Sequence, residues 1–310
     1  MRIFIAGHKG LVGSAIVRNA PEEYEIIAAD RNSLDLSDKD AVISYLRKHS
    51  PDAVILAAAK VGGIFSNSRH QKDFLLKNLE IQDSVIDSAA SFGIPKLIFL
   101  GSSCIYPKLA PQPISEMSLL TGPLEPTNEG YALAKIAGIR LCKAISEEMG
   151  LNYFSLMPTN LYGPNDNYDL QNSHVPAALM RRFHEAKEKN LSRVEIWGTG
   201  TPRREFMHSD DMASAIWHML KVGAPGELIN VGTGEDITIR EFALDMAKIV
   251  GYQGEISFDT SKPDGTPRKL LDVSRINSLG WRAKIELKDG LSKTYEWFKQ
   301  ARKNGEVRGF

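Results

Sequence analysis

Cysteine is scarce in this chain: its 310 residues include two, Cys104 and Cys142. Two thiols make neither a disulfide framework nor a cysteine-based metal cluster, and they suit a reducing, cytoplasmic setting. Net charge is lacking too, since 38 basic residues balance 38 acidic ones, which argues against nucleic acid as a partner. No apolar run reaches the roughly 18 residues of a membrane-spanning helix, so no membrane partner is expected. Met1 leads directly into a strand-like run, with no targeting segment expected before it. Internal repeats, low-complexity tracts and long charge runs are absent as well. What remains is a 43% hydrophobic chain, long enough for a sizeable core and about two domains.

Apolar runs at Arg2–Ala6, Glu25–Ala29, Ala53–Leu56, Lys96–Leu100 and Tyr153–Met157 read as strands, alternating with helical stretches near 38–48, 69–92 and 129–149. Such alternation predicts an α/β fold, a Rossmann-type doubly wound parallel sheet. After Tyr162-Gly163-Pro164 a polar loop, Asn165 to Ser173, precedes a helix from about Pro176 to Lys189 and opens a smaller α/β substrate lobe. Glu227–Gly232 reads as a late strand returning to the sheet. The expected division is therefore a dinucleotide-binding domain over 1–160 with a returning segment near 208–235, and a substrate lobe mainly over 161–310. In open sheets of this kind ligands bind beyond the carboxyl ends of the strands, where Gly7, Ala57–Ala59, Ser102 and Pro158–Asn160 fall.

The first strand runs into Gly7-His8-Lys9-Gly10-Leu11-Val12-Gly13. Glycine at these three positions permits a tight turn, a close approach of backbone to pyrophosphate and close helix packing, while the following helix aims its amides at the phosphates. A lone glycine triplet is weak; here a strand precedes it, Leu11, Val12, Ala15 and Ile16 follow at helical spacing, and a second strand comes at the right distance. The segment predicts a dinucleotide site. Asp30, after the second strand, suits a free ribose 2′-hydroxyl and hence NAD(H). Arg31 and Lys9 supply the cations that a 2′-phosphate requires, which points to NADP(H).

Tyr131 and Lys135 stand four apart in Gly130-Tyr131-Ala132-Leu133-Ala134-Lys135, so a helix stacks them on one face. An ammonium beside a phenol stabilises the phenolate and brings proton transfer within reach of neutral pH. Ser102 offers a further hydroxyl directly after the Lys96–Leu100 strand. Read alone, Tyr-x-x-x-Lys is as well a surface pair, Cys104 a small packed residue and His174 a loop histidine. His208 precedes Ser209 and Asp210, either of which can cap a helix, and a structural role is expected for it. His8, His49, His70, His184 and His218 gain no catalytic support, although His8 lies in the phosphate turn; Cys142 reads as a buried apolar residue.

The glycine turn, Ser102, Tyr131 and Lys135 resemble the nucleotide-sugar branch of the extended short-chain dehydrogenase/reductase superfamily. Five further blocks resemble the GDP-L-fucose synthase family and span almost the whole chain in that family's order: Gly101-Ser102-Ser103-Cys104-Ile105-Tyr106-Pro107-Lys108, Pro158-Thr159-Asn160-Leu161-Tyr162-Gly163-Pro164, Asn172-Ser173-His174-Val175, Trp197 to Phe206, and Lys262 to Lys269. The resemblance implies conversion of GDP-4-keto-6-deoxy-D-mannose by epimerisation at C3 and C5, then reduction of the C4 ketone with NADPH. It gives Cys104 and His174 the epimerase proton transfers, and a thiol and an imidazole whose ordinary pKa values straddle neutrality suit those jobs. It gives Ser102, Tyr131 and Lys135 the reduction.

For the cofactor, the resemblance implies contacts from Gly7 through Gly13, Arg31, Leu100, Gly101, Ser102, Ser103, Tyr131, Lys135, Pro158, Thr159, Asn160, Leu161 and His174. NADP(H) is the expected cofactor, and Asp30 leaves NAD(H) open. For the GDP-sugar it implies Arg182, Trp197, Arg204 and Asp264; Arg182 stands where the family often has lysine, and beside Arg181 it also reads as part of a solvated face. A homodimer built on the helices near 69–92 and 129–149 is implied as well. The rival readings are a different NAD(P)-dependent nucleotide-sugar 4-epimerase or reductase and, further off, a non-catalytic dinucleotide sensor.

Overall fold

The computed structural model of the chain describes residues 1–170, 172–262 and 264–310, apart from the side chains of Ile64 and Phe65. In chain order the first half runs β1 (Arg2–Ala6), α1 (Leu11–Arg18), β2 (Glu25–Ile27), α2 (Lys39–His49), β3 (Ala53–Leu56), α3 (Ile64–Arg69), α4 (Gln71–Ser91), β4 (Lys96–Leu100), α5 (Glu129–Met149) and β5 (Asn152–Pro158). The second half continues β6 (Asn160–Tyr162), α6 (Val175–Glu188), β7 (Arg193–Trp197), β8 (Arg203–Arg204), β9 (Phe206–His208), α7 (Ser209–Val222), β10 (Leu228–Val231), β11 (Ile237–Thr238), α8 (Ile239–Val250), β12 (Glu255–Asp259), β13 (Arg268–Lys269), α9 (Ser274–Ser278) and α10 (Leu287–Lys303).

Six strands pair in the order β10-β5-β4-β3-β1-β2, every pairing parallel. This is the doubly wound sheet, and strands with apolar residues on both faces are what a sheet covered by helices on each side requires. Three boundaries differ from the sequence reading. β2 stops at Ile27 because Asp30 bends the chain, its carboxylate accepting from the Ser33 N–H at 3.0 Å. The stretch near 69–92 is two helices, interrupted at His70. The cap of α7 is His208 itself, whose Nδ1 accepts from the Asp210 N–H at 3.1 Å, so neither Ser209 nor Asp210 caps that helix.

Burial divides between two clusters. One surrounds the large sheet and includes Ile3, Phe99, Met157, Ile216 and Trp281. The other gathers Tyr162, Phe183, Phe206, Phe242 and Phe298. Glu205, fully buried between β8 and β9, ties the large sheet to the small strands. Its carboxylate accepts from the N–H groups of Thr233 (2.7 Å), Gly234 (2.8 Å) and Leu271 (3.0 Å). Its carbonyl accepts from Thr159 Oγ1 at 3.2 Å and Asn160 Nδ2 at 2.9 Å, just past the carboxyl end of β5. A Cβ at Gly232 would collide with this carboxylate, so the close approach requires glycine there.

β8 lies between β11 and β13, with Arg203 opposite Arg268 and Arg204 opposite Lys269. Asp236, on the turn before β11, binds Arg203 at 2.7 Å and Arg268 at 2.5 Å. Side chains alternate along a strand, so Arg204 and Lys269 share the other face.

Glu205→Ala removes the acceptor from three amides, of which the Leu271 amide is buried, and a buried orphan costs about 1–3 kcal/mol. A loss of about 3–5 kcal/mol is expected in urea unfolding, with a smaller loss for Glu205→Gln, which keeps one acceptor. A loss below about 1 kcal/mol for the alanine variant would contradict this account of the junction.

Candidate active site

The glycine turn is built by exclusion of side chains. Gly7 has φ +95°, and a Cβ there would sit 2.6 Å from the Ala58 backbone nitrogen; one at Gly13 would strike the Gly7 carbonyl. Gly10 caps α1 without a side-chain hydrogen bond, and no acidic residue stands in the first turn. The leading amides of α1 therefore have neither a carboxylate nor a capping side chain before them, and the dipole favours an anion at that end. Gly7 and Gly13 let the turn pack closely against its neighbours, and the uncapped helix start that results suits the diphosphate of a dinucleotide. Lys9 is exposed and pairs with Asp30 at 3.1 Å. Asp30 also accepts from Ser33 Oγ at 2.8 Å, and the Ser33 and Lys9 hydrogen bonds hold its carboxyl down to about 2. Arg31 is exposed.

Beyond β4 the chain turns sharply through Ser103–Ile105, where Ser102 Oγ accepts from the Cys104 N–H at 3.4 Å. Ser102 also acts on the Tyr131 hydroxyl, favouring its ionised form, so Ser102, Cys104 and Tyr131 form one cluster. Helix α5 delivers Tyr131 from a fixed start: Gln71 Oε1 accepts from the Gly130 N–H at 3.1 Å, and a Cβ at Gly130 would lie 2.7 Å from the Gln71 carbonyl. Lys135, one turn on, is buried, donates to the Leu100 carbonyl at 2.8 Å and lies 5.8 Å from the Tyr131 ring centre.

The ionisation of this pair departs from the sequence expectation. Burial pushes the Tyr131 hydroxyl well above its ordinary value, Cys104 adds to that, and Ser102 opposes it. Burial pulls Lys135 down to about 8 against the influence of Cys104. Lys135 directs its ammonium at a carbonyl rather than at the phenol, so Tyr131 stands as a neutral acid with its proton in place.

Cys104 is buried, and burial raises its thiol while Lys269, Ser102 and Lys135 pull it down. His174 caps α6 and is exposed on one side, yet the protein packed around its remaining sides lowers its imidazole, and Lys269 lowers it further. The thiol and the imidazole thus move apart, both toward their neutral forms. Lys269 bears on both. Sequence reading assigned it no role, although it lies in the Lys262–Lys269 block.

Arg182 is half-buried and donates to the Glu195 carbonyl at 2.9 Å, an anchored position on the β7 side rather than a freely solvated one. Trp197, at the end of β7, is 67% exposed with the Lys262 ammonium 5.7 Å from its ring centre. Asp264 accepts from Thr199 N–H at 2.9 Å and Thr199 Oγ1 at 2.7 Å, which fixes the Gly198–Gly200 turn. Arg204 donates to the Thr266 carbonyl at 2.6 Å and feels the Asp264 charge. Leu100, Gly101 and Ser103 lie under the cluster; a Cβ at Gly101 would collide with Met157. Pro158 ends β5 and Leu161 lies in β6, while Thr159 and Asn160 direct their side chains to the Glu205 junction. His8 and Val12 are half-buried in the phosphate turn. His184 meets the Tyr295 hydroxyl at 2.9 Å and His218 the Leu279 carbonyl at 2.8 Å, both structural contacts.

Residues 3–232 match the family described as NAD dependent epimerase/dehydratase. The chain is 55% identical over 298 residues to the GDP-L-fucose synthase of Sinorhizobium fredii, spanning 96% of this chain and 95% of that one. It is 53% identical to the GDP-L-fucose synthase of Escherichia coli K12, spanning 96% of each. Among solved structures, GDP-mannoheptose C4 reductase from Campylobacter jejuni with NADP bound superposes with a TM-score of 0.87 at 38% identity, over 96% of this chain and 98% of that one. With this sheet, this glycine turn and this Ser102–Tyr131–Cys104 cluster, the chain belongs to the NAD dependent epimerase/dehydratase family, among its GDP-L-fucose synthases.

Proposed function

We propose that this enzyme converts GDP-4-keto-6-deoxy-D-mannose to GDP-L-fucose by epimerising C3 and C5 and then reducing the C4 ketone with NADPH. The observation that carries the reading is the convergence of Ser102, Tyr131 and Cys104 beyond β4, with Lys135 beneath. Residues 1–160 and the returning segment near 208–235 bind the dinucleotide; the lobe over 161–310 grips the GDP-sugar. Arg204 takes the diphosphate, Arg182 and Trp197 contact the nucleotide, and Asp264 shapes the turn beside it.

In the epimerisation, Cys104 as thiolate takes the proton alpha to the ketone. The C–H bond breaks, an S–H bond forms and the electron pair moves onto the C4 oxygen, where Ser102 and Tyr131 donate hydrogen bonds. His174 returns a proton to the opposite face of the carbon. NADPH, when bound, would supply the hydride for C4. Tyr131 gives its proton to the C4 oxygen, Ser102 orients that oxygen, and the Lys135 ammonium stabilises the phenolate left behind. Lys9 and Arg31 hold the 2′-phosphate, with Asp30 tied back by Ser33.

The enzyme is cytoplasmic, consistent with two free cysteines and no described helix long and apolar enough to cross a membrane. It works as a homodimer through the joint face of α4 and α5, where Leu76 and Leu133 are 43% and 44% exposed.

Incubation with the keto sugar and NADPH in heavy water tests the reading. The wild type yields GDP-L-fucose with deuterium at C3 and C5. Tyr131→Phe exchanges both positions but loses reduction by about 100-fold or more, whereas Cys104→Ala loses exchange. Normal exchange in Cys104→Ala would place the base elsewhere, and near-normal reduction in Tyr131→Phe would refute the acid assignment.

Lys135 sets the alkaline limit. Its ammonium is present below about 8 and lost above it, so kcat/KM for reduction falls as pH rises through that value. Lys135→Arg, whose guanidinium keeps its proton, retains a lower rate without this limb; an unchanged limb would assign it to another group.

Cofactor choice is checked by Lys9→Ala combined with Arg31→Ala. NADPH binding drops by about tenfold or more while NADH binding changes little. Equal losses would remove these cations from the 2′-phosphate site.

A further inference from the structure

We infer that Arg181 positions His174 for its proton transfer, by clamping residues 308–310 against the loop that leads from β6 to α6. This rests on the proposed epimerisation and adds to it a residue outside the Ser102, Cys104, Tyr131, Lys135 and His174 set.

His174 stands where that loop ends and α6 begins, and its imidazole makes no capping hydrogen bond. Its placement therefore follows from the backbone on either side. On the helix side the His174 carbonyl accepts from the Ala178 N–H at 2.9 Å. On the loop side Asp169 gathers the residues just before His174. Its carbonyl accepts from the Ser173 N–H at 3.0 Å, and its carboxylate accepts from the Asn172 N–H and from Asn172 Nδ2, each at 2.8 Å. The Asn172 carbonyl in turn accepts from the Gly63 N–H at 3.1 Å, across to the segment after β3. A shift at Asp169 is thus carried to His174 through a turn with little slack.

Tyr168, the neighbour of Asp169, is held from outside the loop. Its N–H donates to the Arg308 carbonyl at 2.9 Å, and its carbonyl accepts from Arg181 Nη1 at 2.8 Å. Its ring is buried against Phe298 of α10, with 4.7 Å between ring centres. Arg181 lies seven residues beyond His174, two turns along the same face of α6. Its side chain is 13% exposed, and its Nε donates to Glu185 Oε1 at 2.7 Å. Nη1 also donates to the Gly309 carbonyl at 2.8 Å, and the guanidinium lies 4.3 Å from the Phe310 ring centre. A mostly buried guanidinium must place its donors on acceptors, and both acceptors of Nη1 are main-chain carbonyls. One side chain therefore fixes the backbone of the loop and of residues 308–310 together. Gly309 has φ +76°, and a Cβ there would lie 2.3 Å from Asn167 Oδ1 and 2.7 Å from the Asp169 nitrogen. Glycine is required for so close an approach.

The clamp bears on one of the two proton transfers. Arg181 fastens the loop, α6 and residues 308–310, whereas Cys104 and Tyr131 ride on the turn after β4 and on α5. A proton donor misplaced by about 1 Å loses about 100-fold. With the clamp loosened, Cys104 still removes the alpha proton. Return then falls to Cys104 itself, whose S–H bond breaks as a C–H bond re-forms on the original face, so exchange proceeds without inversion.

Two measurements on the full chain test this. Without substrate, hydrogen–deuterium exchange read by mass spectrometry follows the peptides that carry the Tyr168 and Ser173 amides. Arg181→Met and Gly309→Ala speed their exchange by about tenfold or more, while the β4 amides keep their protection. With the keto sugar in heavy water, the ratio of inversion to deuterium incorporation at C3 and C5 falls by about 10- to 100-fold in both variants. KM for the sugar and the rate of C4 reduction change little, and Arg181→Lys recovers part of the ratio. An unchanged ratio in Arg181→Met overturns the assignment, and so do unmoved Tyr168 and Ser173 amides. A parallel fall of incorporation and inversion also overturns it, since general destabilisation acts on both transfers alike. If Arg181→Met fails to fold, Gly309→Ala carries the same outcomes. A wild type that incorporates no deuterium defeats the epimerase reading and this inference with it, whereas a normal wild type with an unchanged ratio in the variants defeats this inference alone.

Discussion

One buried carboxylate holds the two halves of this molecule in register. Glu205 gathers amides from the segment after β10 and from Leu271 after β13, while its carbonyl takes the Thr159 and Asn160 side chains after β5. These are the strand ends at which the large sheet opens into its cleft. Burial pushes the carboxyl up more strongly than its donors pull it down. The charge is thus an expense in solvation that the fold accepts in return for fixed geometry, since an apolar residue could not satisfy amides arriving from two segments. Arg204 precedes Glu205 directly, so the same anchor aims the cation proposed for the diphosphate.

Burial biases the acid–base groups toward neutral forms when no ligand is bound, although Lys135 keeps its ammonium below about 8. Cys104 and Tyr131 are pushed up, His174 and Lys135 down, and desolvation leads every one of these shifts. A site of neutral groups avoids the cost of charges stranded in a partly dry cleft. It also means that charge develops in step with the chemistry, as each proton moves, and the nearby dipoles and cations are already in place to meet it.

Much of the fold was legible because parallel strands buried on both faces leave continuous apolar runs, as in Ala53–Leu56 and Lys96–Leu100. The glycine turn was legible because its constraint is local: Gly7 and Gly13 must be glycine for reasons contained within a few residues and one neighbouring loop. The boundaries that moved, at Ile27, His70 and His208, are governed by side-chain hydrogen bonds and caps that periodicity does not encode. Tyr131 and Ser102 could be paired from helix spacing and a strand end. The direction in which Lys135 points could not, because its acceptor is a carbonyl on β4, far away in sequence. Lys269 was hidden for a similar reason. Its orientation follows from Asp236 claiming its neighbour Arg268, and the strand that carries it is joined to Gln112, more than 150 residues away.

The exposed pair between Lys9 and Asp30 gives cofactor choice an unusual character. An ion pair in water holds its partners weakly and is screened by salt, so Lys9 is kept near Asp30 without being committed there. Asp30 is held by Ser33 through bonds that do not involve the lysine. Discrimination between the two nicotinamide cofactors then becomes a question of how much charge the surrounding solution lets these surface groups feel. If these surface groups set cofactor choice as proposed, salt in the medium weighs on it, because exposed charges are screened.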